Sequence, residues 1–179
     1  MPVVSNTSPI MNLAIIGELS LLRDQFGEVM IPGAVLEELR VEENLPGSQS
    51  VRDALRDGWI RIEVVKHHPL VRAMKRDLDK GEAEAIALAT EVNADWLLMD
   101  ERDGRKTARS MKLKVVGVLG VLLKGQRNGK LDSLKEAMGR LQEKAGFYIR
   151  ADLYNAIIRE SEEEKGGLSG FVKENNIKN

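Results

Sequence analysis

Seven of the acidic residues fall in three short groups whose chemistry suits a divalent cation. Hard cations such as Mg²⁺ and Mn²⁺ prefer carboxylate oxygens, and a bound cation activates water and offsets charge on a phosphate. If the fold brings the groups together, they favour a site for a divalent metal ion. The groups are Glu37 and Glu38; Glu82 and Glu84; and Asp100, Glu101 and Asp103.

Each of these carboxylates, taken alone, also has a simpler explanation. Charged residues on helices are commonly solvated, and an acid in a first turn, as expected for Asp103, is stabilised by the helix dipole. Glu82 and Glu84 lie on an almost wholly apolar segment that predicts a buried helix, where an ionised carboxylate must be paired or bound to a metal. Because residues two apart are about 200° apart around a helix, we expect one of them to face solvent.

Short β-type runs alternate with longer helical patterns, which predicts βα units and a mostly parallel sheet flanked by helices. The β-type runs are residues 3–5, 28–31, 60–65, 96–99 and 114–116. The helical patterns are residues 9–16, 19–26, 32–40, 51–57, 81–92, 104–111, 118–124, 131–144 and 152–163, the third opened by Pro32 in its first turn.

Two stretches between these patterns are predicted to be loops. Residues 41–50 contain Pro46, Gly47 and Ser48 among polar residues. His67 and His68 could be metal ligands, but a histidine pair followed by proline is more typical of a loop.

Residues 164–179 are polar and contain glycine, so we expect a loosely attached tail after a single domain formed by residues 1–163.

Polar side chains follow several of the predicted strands. In an open parallel sheet, functional groups gather where strands end and loops lead into helices. Asn6 follows the first strand, Asp100 follows the fourth, and Glu38 lies on the helix after the second. These residues are therefore expected to converge, although Asn6 is also a natural side-chain cap for the helix near Pro9, and both roles can coexist.

Composition and charge exclude several classes of function. The chain has no cysteine, which excludes disulfides, thiolate zinc sites and a cysteine nucleophile and fits a reducing compartment. Lys plus Arg number 27 against 28 Asp plus Glu, so a nucleic-acid partner would require a local basic patch. Since neither a signal-peptide pattern nor a long apolar run occurs, we expect a cytoplasmic protein without membrane contact.

One such patch follows Asp100 directly. Arg102, Arg105, Lys106 and Arg109 have the spacing of a single stripe on a helix, which could bind the phosphates of a substrate or could be an ordinary solvated face. The first predicted strand–helix junction lacks the glycines of a dinucleotide or mononucleotide phosphate loop, which argues against a small-molecule Rossmann domain.

Four segments, in this order and at these intervals, resemble the PIN-domain family, and in particular a toxin-like prokaryotic branch of it. They are residues 3–10 (VVSNTSPI), 31–39 (IPGAVLEEL), 81–89 (GEAEAIALA) and 97–102 (LLMDER). The resemblance implies a three-layer α/β/α PIN-like fold with a mostly parallel central sheet. It also implies carboxylates that hold Mg²⁺ or Mn²⁺ and cut RNA.

The resemblance implies a role for each matching position. The catalytic acids would be Glu38, Glu84 and Asp100, and the metal ligands would be Asn6, Glu38, Glu84, Asp100 and, as an outer ligand, Asp103. Thr7, Ser8, Arg102 and Arg105 would contact substrate phosphate. Most of the family has aspartate where this chain has Asn6. Because an amide offers one neutral oxygen and removes a negative charge, we expect weaker metal binding.

The leading prediction is a metal-dependent PIN-domain ribonuclease that hydrolyses RNA phosphodiester bonds. By analogy with the toxin-like branch, it would pair with a small antitoxin protein and form a homodimer. Asn6 motivates the alternative, a catalytically weak or inactive PIN-like module that binds RNA or a protein without cutting.

Overall fold

The computed structural model describes the backbone of residues 1–175 and the side chains of residues 1–163. The chain divides into two compact units, Met1–Val121 and a second that starts at Leu122. The whole of the predicted tail, residues 164–179, lies outside the described side chains, so the predicted domain boundary at residue 163 stays a prediction.

The first unit contains one five-stranded parallel sheet, formed by residues of high β propensity. Its strands are β1 (Val3–Ser5), β2 (Val29–Pro32), β3 (Ile60–Glu63), β4 (Trp96–Leu98) and β5 (Val115–Val116). They lie in the order β3-β2-β1-β4-β5, and all the neighbouring pairs are parallel. The order steps outward from β1 in both directions, so right-handed crossovers place the connecting helices on opposite faces. The predicted strands and the predicted three-layer α/β/α class are confirmed.

Helices connect the strands and continue into the second unit. They are α1 (Thr7–Ile15), α2 (Ser20–Phe26), α3 (Gly33–Leu39), α4 (Ser48–Arg56), α5 (His68–Met74), α6 (Lys80–Glu91), α7 (Arg102–Ser110), α8 (Val118–Arg127), α9 (Leu134–Ala145) and α10 (Ala151–Asn175). Among the described residues, none of these helices combines the length and apolar composition that a membrane span requires.

Both predicted loops are confirmed only in part, because residues 44–47 and His67 lie outside helices whereas residues 41–43, 48–50 and His68 are helical. Residues 41–50 hold a short 3₁₀ turn, Val41–Glu43, and the first residues of α4, which begins after Gly47 at a φ of 85°. The histidine pair lies at the start of α5, with His67 as the N-cap and His68 as the first helical residue. Pro69 fits this first turn because the N–H that proline lacks would have no helical partner there. His67 Nδ1 accepts a hydrogen bond from Leu70 N at 3.1 Å and caps that helix.

The strand–helix junctions that matter for function are short. Only Asn6 separates β1 from α1. Pro32 ends β2 and occupies the N-cap position of α3, without a side-chain capping hydrogen bond, so it precedes the first turn instead of opening it. Because the strands are parallel, their carboxyl ends meet at one edge of the sheet. The alanine-rich face of α6 packs into the core beside them, with Ala83, Ala85 and Ala87 fully buried. The predicted buried helix is confirmed.

Candidate active site

Three consecutive side chains after β1 each contact a carboxylate from a later part of the chain. The segment is Asn6-Thr7-Ser8, and its partners are Glu38 on α3 and the adjacent residues Asp100 and Glu101, which connect β4 to α7. One tripeptide therefore gathers three of the candidate acids at the carboxyl edge of the sheet. The contacts are Asn6 Nδ2 to Glu101 Oε2 (3.0 Å), Thr7 Oγ1 to Glu38 Oε2, and Ser8 Oγ to Asp100 Oδ2 (3.1 Å).

Glu38 also reaches the first turn of α6. Its Oε1 accepts a hydrogen bond from Gly81 N at 2.9 Å. A Cβ at residue 81 would lie 2.5 Å from Glu38 Oε1, so only glycine permits this close approach. Gly81, the first residue of the GEAEAIALA segment, thus leaves room for the Glu38 carboxylate and donates a hydrogen bond to it.

Glu84 makes the reciprocal contact from α6 to α3. Its Oε2 accepts from Ala34 N at 3.0 Å, in the first turn of α3, where the helix dipole favours a negative charge. Glu38 and Glu84 therefore each bind the start of the other's helix, and this pair of contacts holds α3 and α6 together beside the edge of the sheet.

Asp100 lies at the end of β4 and is held by two donors. Val118 N donates to its Oδ1 at 2.8 Å, and Ser8 Oγ donates to its Oδ2. Burial raises the pKa of Asp100 to about 6, although these two hydrogen bonds favour the ionised form; the nearby charge of Glu101 adds to the increase. Burial is therefore a larger cause of the raised pKa of Asp100 than repulsion by Glu101.

Gly117 also lies against the Asp100 carboxylate. A Cβ at residue 117 would be 2.7 Å from both Asp100 Oδ1 and Arg105 Nη1. Arg105 in turn donates to Met99 O at 2.9 Å, and its burial lowers its pKa. Arg105 is therefore anchored on the β4 backbone, whereas Arg102, Lys106 and Arg109 form an exposed stripe along α7.

Asn6 occupies a buried position, with 2% of its surface exposed. It is the N-cap residue of α1, but its side chain makes no capping hydrogen bond. The alternative role of Asn6 as a side-chain cap is therefore not observed. Among the described residues, Asn6 Oδ1 has no hydrogen-bond partner. A buried acceptor without a donor is destabilising, and a cation would satisfy it.

The two acids of α6 differ from their prediction. Glu82, which is 7% exposed, forms a capping box with Asp79, while Glu84 is only partly exposed, so neither of them is freely solvated. Burial raises the pKa of Glu82. Asp103 is exposed in the first turn of α7, where the helix dipole stabilises an acid without any metal.

The donor set fits a hard cation, although the acids are not yet arranged around a common point. Among the described residues, no three His, Cys, Asp or Glu side chains lie close enough to form a metal cluster. The groups at the sheet edge are nonetheless oxygen donors, and Asn6 Oδ1 is an unsatisfied one. Oxygen-rich sets of this kind suit Mg²⁺ or Mn²⁺ rather than a soft metal.

A parallel sheet with oxygen donors gathered at its carboxyl edge defines an α/β domain with a candidate site for a hard cation. Over residues 2–163, the chain matches the family model DUF3368, described as a PIN domain, and it belongs to the PIN-domain family. PIN domains are generally nucleases that typically use divalent metals, so this chain is a nuclease-type, nucleic-acid-binding domain. The predicted family is confirmed.

The fold is also similar to that of a solved archaeal structure. This is a PilT N-terminus domain protein from the hyperthermophilic archaeon Sulfolobus solfataricus P2, with a TM-score of 0.51 and 18% sequence identity. The similarity covers 74% of this chain and 96% of that one. None of the curated proteins compared with this chain matches it.

Proposed function

We propose that this PIN domain is a ribonuclease that requires Mg²⁺ or Mn²⁺, with Glu38, Glu84 and Asp100 as the catalytic acids. The observation that carries the proposal is the Asn6-Thr7-Ser8 segment, which binds acids from α3 and from the β4–α7 connection at one edge of the sheet. The unsatisfied Asn6 Oδ1 supports a neutral ligand at the same edge.

A bound cation would activate water and offset the charge that develops on the scissile phosphate. The chain's own residues fix the acids in position for this task. Thr7 and Ser8 donate their hydroxyl hydrogens to Glu38 and Asp100, so we assign them to positioning these acids instead of to substrate phosphate. A phosphate oxygen needs a donor, and these two are already used.

The substrate contacts are proposed for α7. Arg102 is exposed at the first residue of this helix, close behind Asp100 in sequence, and can donate to a phosphate of the RNA backbone. Arg105 is held by Met99 O, so its charge acts from a fixed place beside Asp100. Asp103 is proposed as an outer ligand that contacts the cation through water.

A second candidate function is supported by the same region. Glu38, Glu84 and Asp100 all have protein hydrogen-bond donors, and position 6 lacks the usual acid. A PIN-like module that binds RNA or a protein without cutting it agrees with these contacts. A module that binds RNA would share the interface on α7 with the proposed ribonuclease and would differ from it only in hydrolysis.

The biological setting is proposed by analogy with the toxin-like branch. This resemblance supports a small antitoxin protein and a homodimer as partners. The lack of cysteine supports a reducing, cytoplasmic location. Co-expression with a short neighbouring reading frame, followed by gel filtration, would test both partners, and a monomer that retains no second chain would contradict them.

The experiment that tests the proposed activity measures cleavage of a fluorescent single-stranded RNA after removal of metal and addition of Mn²⁺. We expect Mn²⁺-dependent cleavage that Asp100→Asn lowers about 100-fold. Asp132→Asn is the matched control because Asp132 is exposed and lies in the second unit. RNA binding without cleavage in Mg²⁺ and Mn²⁺ would favour the second candidate, and neither binding nor cleavage would contradict both.

A further inference from the structure

Two residues that begin neighbouring helices turn their side chains towards each other. Asn6 is the N-cap of α1 and Glu101 is the N-cap of α7, yet in the described structure neither side chain accepts a capping hydrogen bond from its own helix. Asn6 Nδ2 instead donates to Glu101 Oε2 at 3.0 Å. Their strands are adjacent, with Ser5 opposite Leu98, so the pairing spans two strand ends.

This arrangement gives up a favourable local contact. Asparagine is among the best N-cap residues because its side-chain oxygen satisfies an N–H of the first turn. Here that oxygen stays buried without a partner among the described residues, while the amide nitrogen binds a carboxylate. A charge-assisted hydrogen bond compensates in part, and a ligand at the free oxygen would complete the compensation.

The pairing also explains why position 6 is an amide. An aspartate there would place two carboxylates at the separation that now joins Asn6 Nδ2 to Glu101 Oε2, and two like charges so close do not both ionise readily. With asparagine, the negative charge is carried by the end of β4 and not by the end of β1. Asn6 and Glu101 are therefore complementary.

Glu101 also faces the other acids of the region. Its charge raises the pKa of Asp100 and, as a smaller cause, that of Glu82. Its hydrogen bond with the buried Asn6 places its carboxylate at the carboxyl edge of the sheet. The contact between Asn6 and Glu101 belongs to the same edge of the sheet as Asp100.

We propose that Glu101 supplies the carboxylate that position 6 lacks, while Asn6 is a positioning residue that holds Glu101 and offers its own oxygen to the cation. The inference rests on the proposed metal-dependent function. The metal site then comprises Glu38, Glu84, Asp100 and Glu101 and keeps the charge of a four-carboxylate set. The weaker metal binding expected from Asn6 does not follow.

An exchange of the two side chains tests the proposal in the full chain. The variants are Asn6→Asp, Glu101→Gln and the double variant that carries both changes, with Glu143→Gln on the exposed surface of α9 as the control. Each is measured by urea unfolding without metal, by Mn²⁺ calorimetry and by RNA cleavage. Glutamine keeps the hydrogen bond of Glu101 and removes only its charge.

We expect one single change to lower stability, the other to weaken Mn²⁺ binding, and the double variant to restore both properties. Asn6→Asp should raise the metal-free ratio of unfolded to folded protein about tenfold through repulsion with Glu101. Glu101→Gln should weaken Mn²⁺ binding about tenfold with little effect on unfolding. In the double variant, the new carboxylate at position 6 would carry the charge and the new amide at position 101 would donate to it. Unfolding and Mn²⁺ affinity should then return to within about threefold of the natural protein.

The outcomes separate this proposal from the proposed function. Mn²⁺ binding that Glu101→Gln leaves unchanged, or an Asn6→Asp variant that binds Mn²⁺ more tightly without any loss of stability, would overturn this proposal alone. Failure of the natural protein to bind Mn²⁺ would overturn both. Additive effects in the double variant would show that the two residues act independently, which also contradicts the proposal.

Discussion

The starts of three helices in the first unit use their capping residues in different ways. At α6, Asp79 accepts from Glu82 N at 2.8 Å and Glu82 Oε2 accepts from Asp79 N at 3.0 Å, so both side chains serve their own helix. At α1 and α7, Asn6 and Glu101 serve each other. The first arrangement stabilises a helix, whereas the second leaves polar atoms free for chemistry at some cost in stability.

The same comparison shows that burial does not by itself identify a functional acid. Glu82 is the more buried acid of α6, but its hydrogen bonds complete the capping box. Glu84 is more exposed and makes its contact with α3. The two acids differ in the partners of their hydrogen bonds, because Glu82 binds its own helix and Glu84 binds α3. Mutations at the two kinds of helix start should therefore have different consequences.

The largest effect is expected for Gly117→Ala, which alters the β4 end of the sheet and leaves the α6 start unchanged. The new Cβ would meet Asp100 Oδ1 and Arg105 Nη1 at 2.7 Å, so both side chains must move. We expect RNA cleavage to fall about 100-fold because Asp100 is displaced, and the free energy of unfolding to fall by no more than about 1 kcal/mol because the two atoms that the Cβ meets are the ends of side chains. Cleavage kinetics and urea unfolding measure these changes.

Gly139→Ala is the matched control for this substitution. Residue 139 lies inside α9, and a Cβ there meets nothing within 4 Å among the described residues, so alanine should stabilise that helix by up to about 1 kcal/mol. Full cleavage activity in Gly117→Ala would show that cleavage does not require the Asp100 carboxylate to lie close to residue 117.

The next largest effect is a pH dependence of the free energy of unfolding, which is caused by Asp100 at the end of β4. The pKa of Asp100 is raised from 3.8 to about 6 by burial, so the folded state holds this proton more tightly than the unfolded state. Its contribution to stability is fully present below about pH 4 and is lost as the pH rises through about 6. At about 1.4 kcal/mol per pKa unit, and less for a partly exposed group, the loss is roughly 2 kcal/mol.

Asp100→Asn should remove this dependence in the metal-free protein. Asparagine can accept from Val118 N and donate to Ser8 Oγ, so both neighbours keep a partner. Urea unfolding at pH 4.5 and 7.5 with a chelator compares the two proteins. A stability difference between them that stays constant across this range would contradict the assignment.

A smaller loss of stability is expected at the capping box. Asp79→Ala removes the cap of α6 and should lower the free energy of unfolding by about 1 kcal/mol, with RNA cleavage nearly unchanged. Urea unfolding and cleavage assays on the same preparation measure both. If Asp79→Ala abolished cleavage at unchanged stability, the distinction between the two kinds of helix start would be wrong.

The smallest effect is expected for Ser8→Ala. The Ser8 hydrogen bond lowers the pKa of Asp100, so its removal should move the midpoint of any Asp100-dependent pH profile upward. The pH dependence of Mn²⁺-activated cleavage measures this shift. Ser110→Ala, at the exposed end of α7, is the control, and a downward shift in Ser8→Ala would contradict the contact.

Much of the fold could be predicted from the sequence because the strands are short apolar runs and α6 is apolar on nearly every side. Helix α5 is hard to predict because His67-His68-Pro69 also has the pattern of a loop, although proline is well tolerated in a first turn. Residues Ser48 to Ser50 were assigned to a loop because turn residues precede them and the helical pattern is clear only from Val51.

The candidate site could be predicted only in part. The position of polar residues after strands indicates which side chains share an edge, but not which donors they bind. The contact between Asn6 and Glu101 joins residues 95 positions apart in sequence, and local patterns carry no record of it. A usable signal was the coincidence of an amide at position 6 with a second acid directly after Asp100.

The most direct test of the proposed metal site is Mn²⁺ titration calorimetry on the metal-free natural protein, Asp100→Asn and Asp132→Asn. We predict saturable Mn²⁺ binding by the natural protein, equal binding by Asp132→Asn, and affinity at least about tenfold lower in Asp100→Asn. Equal Mn²⁺ affinity in all three proteins, or no binding by the natural protein, would contradict a cation site formed by the acids at the strand ends.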